Sequence, residues 1–377
     1  MLFEHDHQFW FETLRAMGNG AYGMSDVGEV LAIAGRIPAG DYDAWHDEWS
    51  AAGERLRNEA ETAAAAGHHV SARDSFLRAS NYFRSAEFFL HGDPADPRID
   101  QAYFAAVDTF RAFAARSRPR IEPVEIPYEK TVLHGYLYRS HEPGPRPTIV
   151  MHNGFDGTAE ELHASGAAAG AERGYTVIAF DGPGQGAARH RDGLLFRADW
   201  ENVVGPVLDW VEKRPEADEA RMGLIGMSLG GLLAPRAAAF ERRLAACVAV
   251  DGLYRFLPAR DRLADIEAEN PTARWAAAQA AYVMGIRSSD DMFRVAAEYA
   301  LDKGVAERIT CPTLVCDAEN DLFFAGQPQQ LYDHLTCEKT LLHFTAAEGA
   351  GAHCHVGAQR LACARIYDWL DDILGRD

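Results

Sequence analysis

The chain has 377 residues, 37 lysines and arginines against 56 aspartates and glutamates, a formal charge of −19 and a hydrophobic fraction of 47%. At about 100–200 residues per domain this is two domains or one enlarged one, too apolar for a disordered chain and too acidic for a nucleic-acid or anionic-membrane partner, whose phosphates are met by lysine and arginine. No run approaches the roughly 18 apolar residues of a spanning helix, and Met1-Leu-Phe-Glu-His-Asp-His7 carries acids where a secretory leader carries bases, so a cytoplasmic protein with no membrane partner is expected.

Up to Pro119 the apolar spacing is helical. Trp45, Trp49, Ala52, Leu56 and Ala60 fall on one helix face, Phe76, Phe83 and Leu90 on a second, and Ile99, Tyr103, Val107, Phe110 and Ala114 on a third. They predict helices over 42–66, 71–90 and 98–116, with shorter ones before residue 40. Ser71-Ala-Arg-Asp74 has the form of a capping box at the start of the second. Aromatic stripes of this kind are core, so an interaction module built on them needs no invoking.

Beyond Pro119 the pattern becomes strand, turn, helix, strand. Ile121–Pro127 and Val132–Tyr138 read as an opening pair of strands, followed by Thr148–His152, Thr176–Phe180, Arg221–Ile225, Ala246–Val250, Thr313–Cys316 and Thr340–Phe344. Helix-length segments lie between most of them, at 158–173, 199–213, 229–241, 327–335 and 357–374. The alternation predicts an α/β fold, a mostly parallel sheet flanked by helices. The expected division is a helical cap domain over 1–120 and a catalytic domain over 121–377. Residues 252–309 are too long for one connection and read as a helical insertion over the carboxyl ends of the strands, helical around Arg260–Glu269, Ala273–Met284 and Asp290–Asp302.

The chemistry centres on Gly226-Met-Ser228-Leu-Gly230. This is a G-x-S-x-G match in the setting that the motif requires, an apolar run before it and an Ala/Leu-rich segment after it. A serine hydroxyl needs a histidine to take its proton and a carboxylate to orient that histidine. In this order of elements the acid should follow a late strand and the histidine should precede the final helix. Asp321 lies a few residues past one strand, with Asp317 and Glu319 as alternatives; loop position favours Asp321. His353 lies between the last strand and the closing helix, with His355 as its competitor; the Gly-Ala-Gly approach favours His353. The backbone N–H of Leu229 is the first expected oxyanion donor. The second is the N–H of Phe155, in the loop His152-Asn-Gly-Phe-Asp-Gly157, where Gly154 lets the backbone come close.

Taken together, Asn153-Gly-Phe-Asp-Gly-Thr158 with Glu160-Glu161, Phe180-Asp-Gly-Pro-Gly-Gln-Gly186, Gly226-Met-Ser-Leu-Gly-Gly231 and the Gly-x-x-His-Cys-His segment resemble the α/β-hydrolase superfamily over roughly 121–377. More narrowly they are similar to the 2,6-dihydroxypseudooxynicotine hydrolase family and the fungal hydrolases that shorten polyketide precursors. The resemblance implies Ser228 as nucleophile, Asp321 as acid, His353 as general base, a helical N-terminal domain over the catalytic face, and a homodimer. It also implies hydrolysis of a carbon–carbon bond next to a carbonyl through an acyl-enzyme. A carboxylesterase or thioesterase would use the same residues, so the partner to expect is a small-molecule carbonyl or ester substrate; a non-catalytic binding protein is the third reading.

No cofactor or metal is expected. The pairs His5/His7, His68/His69 and His353/His355 lack a matching ligand cluster, and the six cysteines lack zinc spacing. Gly182-Pro-Gly-Gln-Gly186 lacks the lysine of a phosphate loop and reads as a tight turn beside the site. Cys354 adjoins His353 but sits on no strand-to-helix elbow.

Overall fold

The computed structural model describes residues 2–256 and 270–375. They fall into two compact units. One holds residues 2–122 and 270–285, the other residues 123–256 and 286–375.

The first unit is helical: α1 (His7–Gly18), α2 (Val27–Ala34), α3 (Tyr42–Ala65), α4 (His69–Glu87) and α5 (Pro97–Ala114). Asp6, Asp41 and Asp96 accept backbone N–H bonds at the starts of α1, α3 and α5, satisfying donors that a first turn leaves open. The predicted capping box does not form. Gly67, at φ 81°, turns the chain so tightly that α4 already begins at His69, without a side-chain cap, and Ser71 lies inside its first turn.

Helix α4 packs against both α3 and α5 and is buried on nearly every side from Ser75 to Glu87, so its polar residues need internal partners. Asn81 bonds Asn19 and the Ala16 carbonyl, Ser85 bonds the Asn81 carbonyl, and Arg84 lies 3.3 Å from Glu12. Trp45 and Trp49 are fully buried among Phe9, Phe89 and Tyr82, and side chains of this size contribute upwards of about 2–3 kcal/mol each.

The segment between the sixth and seventh strands is not one body. Helix Pro271–Met284 belongs to the helical unit, where Trp275 stacks on Phe88 at 5.0 Å and Tyr282 on His91 at 4.2 Å. Its aromatic residues find their cover there, whereas the sequence pattern attached the whole segment to the sheet. Residues 286–309 return to the sheet unit, with Phe256 N–H donating to the Tyr299 carbonyl and Leu301 N–H to that of Tyr254. The helix expected around Arg260–Glu269 lies outside the described residues.

Among the described residues the sheet has eight strands: β1 (Ile121–Tyr128), β2 (Thr131–Tyr138), β3 (Arg146–His152), β4 (Thr176–Phe180), β5 (Ala217–Met227), β6 (Leu244–Val250), β7 (Thr313–Ala318) and β8 (Lys339–Phe344). Their spatial order is β1-β2-β4-β3-β5-β6-β7-β8. The β2–β4 pair is antiparallel, and every pair from β4 to β8 is parallel. Strands β3, β4 and β6 are near-continuous apolar runs, buried almost throughout, as expected for a sheet covered on both faces. The carboxyl ends of β3, β5, β6 and β7 therefore lie side by side, and from these ends the candidate site is built. Among the described residues no helix is long and apolar enough to cross a membrane.

Candidate active site

Ser228 directly follows β5 and precedes helix Gly230–Ala238. Its φ is 58°, a left-handed conformation that costs a non-glycine residue about 1–2 kcal/mol. Here the strain is held by the Ser228 N–H bond to the Val250 carbonyl at 3.0 Å and the Gly231 N–H bond to the Ser228 carbonyl. The turn is so sharp that a Cβ at Gly226 would collide with the Gly230 carbonyl.

His353 Nε2 lies 2.8 Å from Ser228 Oγ, and His353 Nδ1 lies 2.9 Å from Asp321 Oδ2. The other Asp321 oxygen accepts the N–H groups of Phe323 and Phe324, at 2.7 and 3.0 Å. Burial pushes the Asp321 carboxyl up, but the charge and hydrogen bond of His353 and these two N–H groups outweigh it and hold the carboxyl below its ordinary value. Burial likewise opposes a charged His353, yet Asp321 and the neighbouring groups hold the imidazole well above its ordinary value. Serine, histidine and Asp321 are thus joined by hydrogen bonds. Of the alternatives, Asp317 pairs with His343 at 2.7 Å and Glu319 accepts the Ala346 N–H, so both point elsewhere. His355 is fully buried against Phe344 and bonds the Ala350 carbonyl, not Ser228.

One neighbour of His353 is absent from the sequence reading. Asp251, the residue after β6, is fully buried with φ 50°, and its Oδ2 lies 3.1 Å from the same Nδ1. In the element order of the motif the acid is expected after a later strand than β6. The available signal was an aspartate directly after the apolar run Ala246–Val250, at the carboxyl end of a core strand.

The loop after β3 reaches the same place. A Cβ at Gly154 would fall 2.7 Å from the Leu229 nitrogen and 2.8 Å from the Ser228 Cβ, so only glycine lets the two backbones approach this closely. The loop is held from beneath by the glycine-rich run after β4. Gln185 accepts the Gly182 N–H and donates through Nε2 to the carbonyls of Asn153 and Gly154. Asp181 accepts the N–H groups of Ala159 and Ala187, and burial, reinforced by Glu160, pushes its carboxyl well above the usual range. The run forms the expected tight turn, with the Gln185 N–H bonded to the Gly182 carbonyl at 2.9 Å, and also braces the loop that carries Phe155.

His152, at the end of β3, is fully buried below this loop. Its Nδ1 faces the Asn153 carbonyl and its Nε2 accepts from the Trp200 indole at 3.2 Å. Both bonds suit the neutral ring, and burial lowers its pKa to about 4. Between pH 6.5 and 4 the unfolded chain therefore binds a proton that the folded one refuses, and stability falls as pH falls. At about 1.4 kcal/mol per unit the loss is roughly 3 kcal/mol. Urea midpoints across this window should show it, and His152→Gln should lack that component.

Asp251, His353 and Cys354 also gather three potential metal-ligand atoms within 4.8 Å of one another. These donors are already engaged: His353 with Ser228 and the carboxylates, and Cys354 Sγ at 3.5 Å from His353 Nε2. Rings extend away from His353: Phe323 and Phe324 stand edge-on to it at 4.9 and 5.5 Å, and Phe324, Phe256 and Phe155 follow in contact.

Residues 39–268 match the sequence family described as "Esterase FrsA-like". The chain is 35% identical to the hydrolase LUC6 of a Fusarium species, over 97% of this chain and 96% of that one. It is also 35% identical to the 20-hydroxy-prefusarin hydrolase FUS2 of Gibberella moniliformis, over 96% of each. The crystal structure of 2,6-dihydroxy-pseudo-oxynicotine hydrolase superimposes with a TM-score of 0.79, at 23% identity and over 95% of both chains.

Proposed function

The chain belongs to the FrsA-like esterase family of α/β hydrolases, and from that premise we propose that it uses Ser228 to cleave a carbon–carbon bond next to a carbonyl, in an aromatic or polyketide-like substrate. The observation that carries this reading is the continuous hydrogen-bonded line from Ser228 Oγ through His353 to Asp321, with the serine on a strained strand-to-helix turn. The run of phenylalanines beside His353 suits an aromatic acyl group. Of the relatives, one is named as a 20-hydroxy-prefusarin hydrolase, and that name supports a substrate of this kind.

In the proposed reaction Ser228 Oγ attacks the carbonyl carbon and its proton passes to His353 Nε2. Asp321 keeps the Nδ1 proton in place and stabilises the imidazolium. The oxyanion forms opposite the N–H groups of Leu229 and Phe155, and removal of one such donor costs about 10²–10³ in rate. Collapse breaks the carbon–carbon bond, the electron pair leaves as an enolate, and His353 returns the proton to the leaving carbon. Water, deprotonated by His353, then hydrolyses the acyl-enzyme.

Ester or thioester cleavage would use the same groups, so the bond type is decided by assay. A panel of 1,3-diketones, aryl ketones, aryl esters and thioesters, with the acyl-serine trapped by mass spectrometry, is expected to show diketone cleavage through an adduct on Ser228. Rapid ester turnover with no diketone cleavage would replace the proposal by the esterase reading. The absence of any serine adduct would end both.

A further inference from the structure

His353 Nδ1 faces two buried carboxylates, although one is enough to orient an imidazole. Asp321 Oδ2 stands at 2.9 Å and Asp251 Oδ2 at 3.1 Å, and the latter oxygen also accepts the Cys354 N–H. The remaining oxygen, Asp251 Oδ1, has no hydrogen-bond partner among the described residues, and neither has His355 Nε2, which faces it at 3.6 Å. Both groups are fully buried, where an unpaired polar atom costs about 1–3 kcal/mol.

The tautomer of His355 decides what lies between them. Its Nδ1 meets the Ala350 carbonyl at 3.2 Å, and a carbonyl only accepts, so Nδ1 carries the hydrogen. In a neutral ring Nε2 is then a lone pair pointing at a carboxylate oxygen. Two acceptors facing each other out of water repel, and a single proton between them removes the conflict. The pair then carries no net charge, as a carboxylic acid beside a neutral imidazole or as a carboxylate beside an imidazolium. The other titratable groups around it are His353 and Cys354 from the loop after β8, Asp321 from the loop after β7, and the Cys316 thiol of β7, which burial and then Asp251 push up.

We propose that Asp251 and His355 act as a second positioning pair for His353, in which one proton held between Asp251 Oδ1 and His355 Nε2 controls the charge on a carboxylate that supports the same Nδ1 as Asp321. When His353 takes the serine proton, the shared proton moves from Oδ1 to Nε2 of His355. Asp251 becomes a carboxylate as the imidazolium forms, and the proton returns when His353 is neutral again. No proton leaves the buried group, and no further reactant is needed. The inference rests on His353 being the base for Ser228, as proposed above.

The test uses the rate of Ser228 phosphonylation by a fluorophosphonate probe, which needs no knowledge of the native substrate. In triads with one acid, loss of that acid lowers kcat by about 10⁴. Here Asp321→Asn is expected to lose only about 10- to 100-fold, because Asp251 still supports His353. Adding Asp251→Asn or His355→Gln to it should bring the loss to the about 10⁴-fold of a triad left without its acid. Asp251→Asn alone removes negative charge beside His353 and lowers its pKa, so the rising limb of the pH–rate profile should move to lower pH. An effect on packing alone would not move that limb. Three results would overturn the inference: Asp321→Asn alone already slower by about 10⁴-fold, double variants no slower than Asp321→Asn, or an unmoved limb in Asp251→Asn. If Asp251→Asn does not fold, Asp321→Asn and its His355→Gln double still decide. Failure of the serine reading itself would look different, because Ser228→Ala would then react with the probe as fast as the wild type.

Discussion

Ser228→Ala is expected to lower kcat by about 10⁵- to 10⁶-fold and to abolish fluorophosphonate labelling, without loss of fold. The size follows from nucleophile removal in serine hydrolases, where the rate left over comes from oxyanion stabilisation and binding alone. Ser228 Oγ makes its described bond to His353 and holds no strand or helix in place through its side chain, so the hydroxyl can go without disturbing the core. Alanine retains the strained φ of 58°, and its stability in urea should therefore stay within about 0.5 kcal/mol of the wild type. Activity reduced by less than 100-fold on the best substrate of the panel would remove Ser228 from the reaction.

The second large effect is on the fold. Gly226→Ala places a methyl group against the Gly230 carbonyl and close to the Ala234 side chain, at a turn fixed on one side by β5 and on the other by the helix Gly230–Ala238. The obstacle is backbone, so no rotamer change relieves it. A loss of at least about 3 kcal/mol is expected, the upper range for inserting a methyl into a packed site, together with loss of serine labelling in whatever fraction stays folded. Gly28→Ala is the matched control. It lies in α2 with nothing within 4 Å of the added carbon, and there alanine should stabilise by about 0.5–1 kcal/mol. Equal stability of the two variants would show that the elbow can relax.

The strands and the serine turn after β5 were legible because their signals are local. Thr176–Phe180 is a strand with the predicted ends, the G-x-S-x-G elbow sits between β5 and its helix, and α3 and α5 start within one residue of expectation. Asp321 and His353 could be named because each falls in a defined loop of a known element order. Other features depend on groups far apart in the chain. Asp251 matters because a loop about 100 residues later lays His353 and Cys354 against it. Gln185 matters because β3 and β4 are neighbours and bring two loops together. Ser71 failed as a cap for the opposite reason: a good local motif was overruled by a glycine turn a few residues earlier. Trp275 and Tyr282 carried an aromatic stripe, but nothing in their own segment says which body covers it.

The order of the strands has a consequence for how the protein comes into being. The serine hangs from β5, one aspartate from β6, the other from β7, and the histidine follows β8, so the hydrogen-bonded groups belong to four adjacent parallel strands. Ser228 and His353 are 125 residues apart, and every pairing between these strands is a long-range closure of the kind that forms slowly. No fragment that stops before β8 can hold the hydrogen-bonded line. During refolding, helices and the first strands can be in place while the chain is still inert. In the proposed mechanism, turnover is in this sense a report on the completed half of the sheet.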